Sequence, residues 1–178
     1  MLFRSGDAEP AKIAGLLVAL RAKGESVGEI VAAARALRAR ATTARAASAN
    51  TIDVCGTGGS GLDTFNISTT TAFVVAGAGV PVAKHGNRAA TSRSGSFDVL
   101  EALGVKIDLP IERCGRILAE IGIATFFART AHPAYRHLGP VLRQLGVRTL
   151  MNCLGPLLNP VGVRHQVVGV SSAALGVP

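Results

Sequence analysis

Four glycines fall within six residues at Gly56-Thr57-Gly58-Gly59-Ser60-Gly61, directly after Asp53-Val54-Cys55. Glycine has no side chain to hold a ligand away, so such a turn can point its N–H groups at phosphate oxygens. Thr64-Phe65-Asn66-Ile67-Ser68-Thr69 follows closely. Its polar residues open a helical stretch, where free N–H groups and the helix dipole favour an anion. These residues fit a phosphate cradle, and they also fit a tight turn with a capped helix. No Gly-Lys-Ser/Thr closes the loop, which excludes a Walker A site. A second constellation, Lys84-His85-Gly86-Asn87-Arg88-Ala89-Ala90-Thr91-Ser92-Arg93-Ser94-Gly95-Ser96, sets three cations among hydroxyl and amide groups. It reads either as a second anion-binding loop or as a solvated basic loop, and His85 as a hydrogen-bonding residue or a base.

The surrounding pattern says what must position these loops. Ile13, Leu16, Leu17 and Leu20, then Val27, Ile30, Val31 and Leu37, recur at helical spacing on either side of Gly24. Ser26 with Glu29 makes a capping box for the second helix. After the small, polar residues 41–50 the texture changes. Strands are expected at Thr51–Cys55, Val80–Lys84, Val105–Leu109, Thr125–Ala128 and Val167–Val170. Helices are expected from Ser68 to Ala78, up to Leu103, from Ile111 to Ile121 and from His132 to Leu145, with a rigid turn at Gly155-Pro156 and Asn159-Pro160. Strands alternating with helices predict a parallel sheet with right-handed crossovers. Both loops then follow adjacent strands, at the sheet edge where open α/β folds bind ligands. The predicted architecture is α/β: a helical domain over residues 1–45, with 130–152 packing on it, and an α/β domain over 46–178. With Val167–Val170 as its last strand and no closing helix, the sheet is expected to be incomplete at the C-terminus.

Composition narrows the partners. The 178 residues carry a net charge of +8, but aromatic residues make up 4% and Trp is absent. Nucleic-acid surfaces interleave basic with aromatic residues, so a small phosphorylated ligand fits the charge better. No apolar run is long enough for a membrane span, and no basic leader precedes an apolar core at the N-terminus, so a cytoplasmic location is expected. The three cysteines, Cys55, Cys114 and Cys153, are too scattered for a disulfide framework or a zinc site, and read as buried thiols.

Taken in order, Gly56-Thr-Gly-Gly, Thr64-Phe-Asn-Ile-Ser-Thr, Lys84-His-Gly-Asn-Arg, Ser94-Gly-Ser with Asp98-Val-Leu-Glu-Ala-Leu-Gly, Ala131-His-Pro-Ala and Asn152-Cys-Leu-Gly-Pro-Leu-Leu-Asn-Pro resemble anthranilate phosphoribosyltransferase. The likeness runs from about Gly6 to Val170. It implies a nucleoside phosphorylase/phosphoribosyltransferase-like fold, a homodimer, and transfer of 5-phosphoribosyl from phosphoribosyl pyrophosphate to anthranilate in tryptophan biosynthesis, with Mg2+. Carried over residue by residue, it implies that Gly56, Gly58, Gly59, Ser60, Thr64, Asn66, Ile67, Ser68 and Thr69 cradle the pyrophosphate, with Ser68 on magnesium. Lys84, His85, Gly86, Asn87, Arg88, Ala89, Ala90, Thr91, Ser92 and Ser96 would hold the ribose-phosphate end. Gly56, Asn87, His132 and Gly155 would line the anthranilate channel. No general base is implied.

The chain departs from the resemblance at three places. Ser60 stands where the family's loop carries an aspartate. Leu142 stands where an arginine meets the anthranilate carboxylate, and Arg143, about 100° round the helix, cannot replace it. The family's magnesium-binding Asp-Glu pair lies beyond Pro178, and the start is short by roughly one helix. Little or no transferase activity is therefore expected. A pyrimidine nucleoside phosphorylase-like enzyme and a non-catalytic binding relic are the alternative readings.

Overall fold

The computed structural model describes residues 8–58, 65–89, 94–170 and 173. In chain order the elements are α1 (Pro10–Lys23), α2 (Val27–Arg38), β1 (Ile52–Gly56), α3 (Ile67–Gly77), β2 (Val82–Gly86), α4 (Ser96–Ala102), α5 (Ile111–Ile121), β3 (Ile123–Phe127), α6 (Ala128–Ala131), α7 (Tyr135–Leu145), α8 (Leu150–Leu154), a 3-10 turn (Gly155–Leu158) and β4 (His165–Gly169).

Pro10 opens α1, where its missing N–H costs no hydrogen bond. Gly24 ends that helix at φ +87°, a conformation few other residues take. Ser26 then starts α2: its hydroxyl accepts the Glu29 N–H at 3.3 Å, and the Glu29 carboxylate accepts the Ser26 N–H at 2.9 Å. The inner faces of both helices, Ile13, Leu17, Ala34 and Leu37, pack with Leu138 and Val141 of α7 and Leu150, Met151 and Leu154 of α8. The N-terminal helices therefore share one core with segments more than a hundred residues later in the chain.

The four strands are parallel, in the order β3-β2-β1-β4. Gly56 pairs with Gly169 and Gly86 with Phe127. All four strands thus end at one edge of the sheet. Ala83, Ala124 and Phe126 pack under α5 through Ile111, Cys114 and Leu118. Every residue of β4 is exposed, including Val167 at 56%.

The expected strand at Val105–Leu109 does not form; the segment is irregular. Its alternating pattern has another cause. Ile107 is buried among Phe97, Leu100 and Phe127, and the Val105 N–H donates to the Leu100 carbonyl at 2.9 Å, not to a strand. The second strand also starts two residues later than expected, at Val82, since Pro81 has no N–H to give a ladder. Cys55 and Cys114 are buried free thiols and Cys153 is half-buried. Among the described residues, no helix is long and apolar enough to cross a membrane.

Candidate functional site

The C-terminal edge of the sheet is built over a buried polar network. Asp53 in β1 and Lys84 in β2 are almost wholly enclosed, 0% and 2% exposed. Lys84 Nζ donates to the Val54 carbonyl at 3.0 Å, and Asp53 Oδ1 accepts the His85 N–H at 3.2 Å. From β4, Gln166 Nε2 donates to Asp53 Oδ2 at 3.0 Å and to the Pro156 carbonyl at 2.6 Å. Burial pushes the Asp53 carboxyl up and the Lys84 ammonium down, and the charge of each opposes the shift of the other. Asn159 adds a brace: its Nδ2 donates to the Ala83 carbonyl at 2.8 Å, and its Oδ1 accepts the Val161 N–H at 2.9 Å. Burial, then the neighbouring Asp53 charge, pushes the Cys55 thiol up to about 12, so it is no nucleophile at neutral pH.

Two histidines lie beside this network. His85 Nδ1 stands 3.2 Å from the Gly155 carbonyl, and His132 Nε2 stands 2.8 Å from the Leu158 carbonyl. A carbonyl can only accept, so those two nitrogens carry the protons. The other two, His85 Nε2 and His132 Nδ1, are buried acceptors without a partner among the described residues. The rings meet edge to face with centroids 5.4 Å apart. Burial, then the neighbouring His132, brings the His85 pKa down to about 3, and burial lowers that of His132. Both rings are therefore neutral at pH 7.

The loops sit where the strand ends predict. Gly56 and Gly58 are exposed at the end of β1, Gly58 with φ +67°. Asn66 precedes α3, its carbonyl accepting the Thr69 and Thr70 N–H groups. Ile67 is exposed, Ser68 half-buried and Thr69 buried, with the Thr69 Oγ1 unpartnered among the described residues. After β2, Asn87 is half-buried, its carbonyl accepting the Ser96 hydroxyl at 3.4 Å. Gly86 lies against Ser96 and Phe97 so closely that an added Cβ would stand 2.8 Å from Ser96 Oγ. Arg88 is differently engaged: its guanidinium pairs with Glu101 at 2.9 Å and lies over the Phe127 ring. Its charge is thus answered within the chain. Gly59, Ser60, Thr64, Ala90, Thr91 and Ser92 lie outside the described residues.

The chain matches a glycosyl transferase family helical bundle domain over residues 2–41 and the family's a/b domain over residues 48–178. It belongs to this glycosyl transferase family. The anthranilate phosphoribosyltransferase of Symbiobacterium thermophilum is 52% identical over 99% of this chain and 52% of that protein. That of Anaeromyxobacter dehalogenans is 57% identical over 94% of this chain and 50% of its own length. Among solved structures, anthranilate phosphoribosyltransferase from Thermus thermophilus superposes with a TM-score of 0.89 at 50% identity, covering 97% of this chain and 52% of that one. The Saccharomyces cerevisiae enzyme in complex with PRPP and Mg superposes at 0.87 with 30% identity, over 98% of this chain and 51% of that one. The chain thus spans about half the length of the family relatives it matches.

Within this family fold, the structure brings His85, His132 and Gly155 together and sets Gly86, Asn87 and Ser96 side by side. Sequence reasoning did not single out Gln166 as a site residue. The one available signal was an amide at the start of a short strand, after His165 and before two valines, and only strand order shows that it faces Asp53.

Proposed function

We propose that the chain binds phosphoribosyl pyrophosphate with Mg2+ and carries the N-terminal share of an anthranilate phosphoribosyltransferase site. The observation that carries this reading is the placement of two loops, one after Gly56 and one after Gly86, at the ends of adjacent parallel strands. The N-terminus of α3 lies between them in sequence. The pyrophosphate would meet the Gly56–Ser60 loop and Thr64 to Thr69, and the ribose-phosphate end would meet Lys84 to Ser92 and Ser96. Anthranilate would lie by Gly56, Asn87, His132 and Gly155.

Among the described residues, no three His, Cys, Asp or Glu side chains gather to hold a metal ion. The donors present still suit magnesium, which is commonly held by one or two protein oxygens plus substrate phosphates. Ser68, half-buried at the start of α3, would be the protein oxygen. Magnesium bound there would offset the charge on the departing pyrophosphate. The backbone N–H groups would act toward the same charge, whereas Lys84, enclosed and bonded to the Val54 carbonyl, would brace the strand end beneath them. The loops would position the weakly basic amine against ribose C1.

In the same reading the helical domain spans 1–45 with 130–152 packed on it, the α/β domain spans 46–178, and the protein is a cytoplasmic homodimer. The core shared by Ile13, Leu17, Leu138 and Leu150 supports that division. Transfer to anthranilate is expected to be weak, because Leu142 offers no charge to the anthranilate carboxylate and exposed Arg143 lies about 100° round the helix from it.

A thermal melt with and without phosphoribosyl pyrophosphate and Mg2+ tests the reading. A ligand at a hundred times its dissociation constant adds about 2.7 kcal/mol, so the midpoint should rise clearly. A cooperative melt indifferent to the ligand would sink it.

A further inference from the structure

The neck of the loop that follows Asn87 is closed by one carboxylate oxygen. Asp98 Oδ2 accepts the Ala89 N–H at 2.8 Å and the Gly95 N–H at 2.7 Å. The Gly95 bond is the ordinary one from the third residue of a helix back to its cap. The Ala89 bond is not: it comes from the far side of the loop, nine residues away. Gly95 permits the closure, since a Cβ there would overlap the Ala89 nitrogen. The Phe97 N–H and the Ser96 hydroxyl both donate to the Asn87 carbonyl at 3.4 Å, adding weaker ties across the same neck. Next to it, Arg88 is held by both Glu101 oxygens and by the Phe127 ring. The cation at the start of the loop is thereby turned onto α4.

We propose that Asp98 is a positioning residue for the phosphate end of the ligand: its carboxylate ties Ala89 to Gly95 and so fixes Asn87, Ala89 and Ser96, the flanking residues that would meet the ribose-phosphate. This rests on the reading of that loop as a phosphate site. Asp98 itself, an anion turned to two N–H groups of its own chain, takes no part in contact with the ligand. Its role is to fix the loop ends before the ligand arrives, so that binding does not have to order them.

The test is isothermal titration of the 178-residue chain with phosphoribosyl pyrophosphate and Mg2+, paired with amide hydrogen exchange at Ala89 and Gly95 without ligand. Asp98→Ala should weaken binding by about tenfold or more and speed exchange at both amides. Asp98→Asn keeps an oxygen able to accept both N–H groups and should stay within about threefold of the unaltered chain. Should Asp98→Ala fail to fold, Gly95→Ala opens the same neck from the other side, with the carboxylate kept, and carries the same expectation. Equal binding by the unaltered chain and the opened variant, or unchanged exchange, overturns the clamp and leaves the phosphate reading standing. No binding by the unaltered chain sinks the phosphate reading and, with it, the ligand role of Asp98.

Discussion

Gln166 on the edge strand β4 reaches the buried carboxylate of Asp53 on β1, its Nε2 standing 3.0 Å from Oδ2. The same amide nitrogen stands 2.6 Å from the Pro156 carbonyl, so a single side chain joins β4, β1 and the turn that carries Gly155. That nitrogen also stands 3.4 Å from the Cys55 Sγ, so its two N–H groups serve three acceptors, of which the Asp53 and Pro156 oxygens are the nearer. Asp53 needs those donors most, because burial works against its charge.

Replacing Gln166 with leucine keeps the volume and removes both donors. Destabilisation of about 1–3 kcal/mol is expected, the usual cost of stranding buried acceptors, read as a lower midpoint in urea. Gln166→Glu should be worse, since it sets a second carboxylate against Asp53. If Gln166→Leu melts like the unaltered chain, the bridge contributes nothing.

The two neutral histidines make a prediction about acid. The unfolded chain protonates His85 near its ordinary pKa of 6.5, while in the fold that happens only near 3. Between those values the unfolded state binds more protons, so stability falls as pH falls through the window. The contribution of His85 is roughly 1.4 kcal/mol for each pH unit well inside it. His132 acts in the same direction. Asp53, its pKa raised by burial, acts in the opposite one. The contribution is therefore best isolated by comparing His85→Asn, which can still donate to the Gly155 carbonyl. The variant should show a shallower loss of stability between about pH 6.5 and 4 than the unaltered chain. Parallel profiles would mean that His85 takes up its proton at the same pH in the fold as in the unfolded chain.

Much of this arrangement was legible in the sequence where the cause is local. Gly24 and the Ser26–Glu29 box mark the break between α1 and α2, and the glycine runs after β1 and β2 announce loops at strand ends. Alternation misled at Val105–Leu109, because one face of an irregular segment can bury Ile107 as well as a strand can. The sequence leaves Arg88 either anion-binding or solvated, and its pairing with Glu101 of the following helix is not visible in the spacing. Gln166 and the Gly155 carbonyl meet their partners across 113 and 70 residues. No spacing rule reaches that far, since such contacts follow from strand order.

Gly86 is expected to tolerate no side chain. A Cβ would stand 2.8 Å from Ser96 Oγ and 2.9 Å from a Phe97 ring carbon, and that ring is wholly buried. Gly86→Ala should therefore cost about 1–3 kcal/mol through overpacking. It should also displace Ser96, so the rise in melting temperature proposed for phosphoribosyl pyrophosphate with Mg2+ should shrink along with the midpoint. A Gly86→Ala variant with unchanged stability would show that α4 can move away at no cost.

Leu142 offers a gain-of-function test of the proposed anthranilate site. It is half-buried against the helical core, next to exposed Arg143, at the position where the family resemblance calls for an arginine. Leu142→Arg should restore a charged hydrogen bond to the anthranilate carboxylate, a contact of about 1.5–3 kcal/mol. Anthranilate should then bind about tenfold to a hundredfold more tightly in the presence of phosphoribosyl pyrophosphate and Mg2+. The aliphatic stem of an arginine can cover part of the apolar surface that Leu142 covers while its head reaches outward. The loss of stability should accordingly stay below that of Leu142→Asp. Fluorescence titration with anthranilate reads the affinity directly. Equal binding by the leucine and arginine forms would show that residue 142 does not face the acceptor, and that its type says nothing about which acceptor is used.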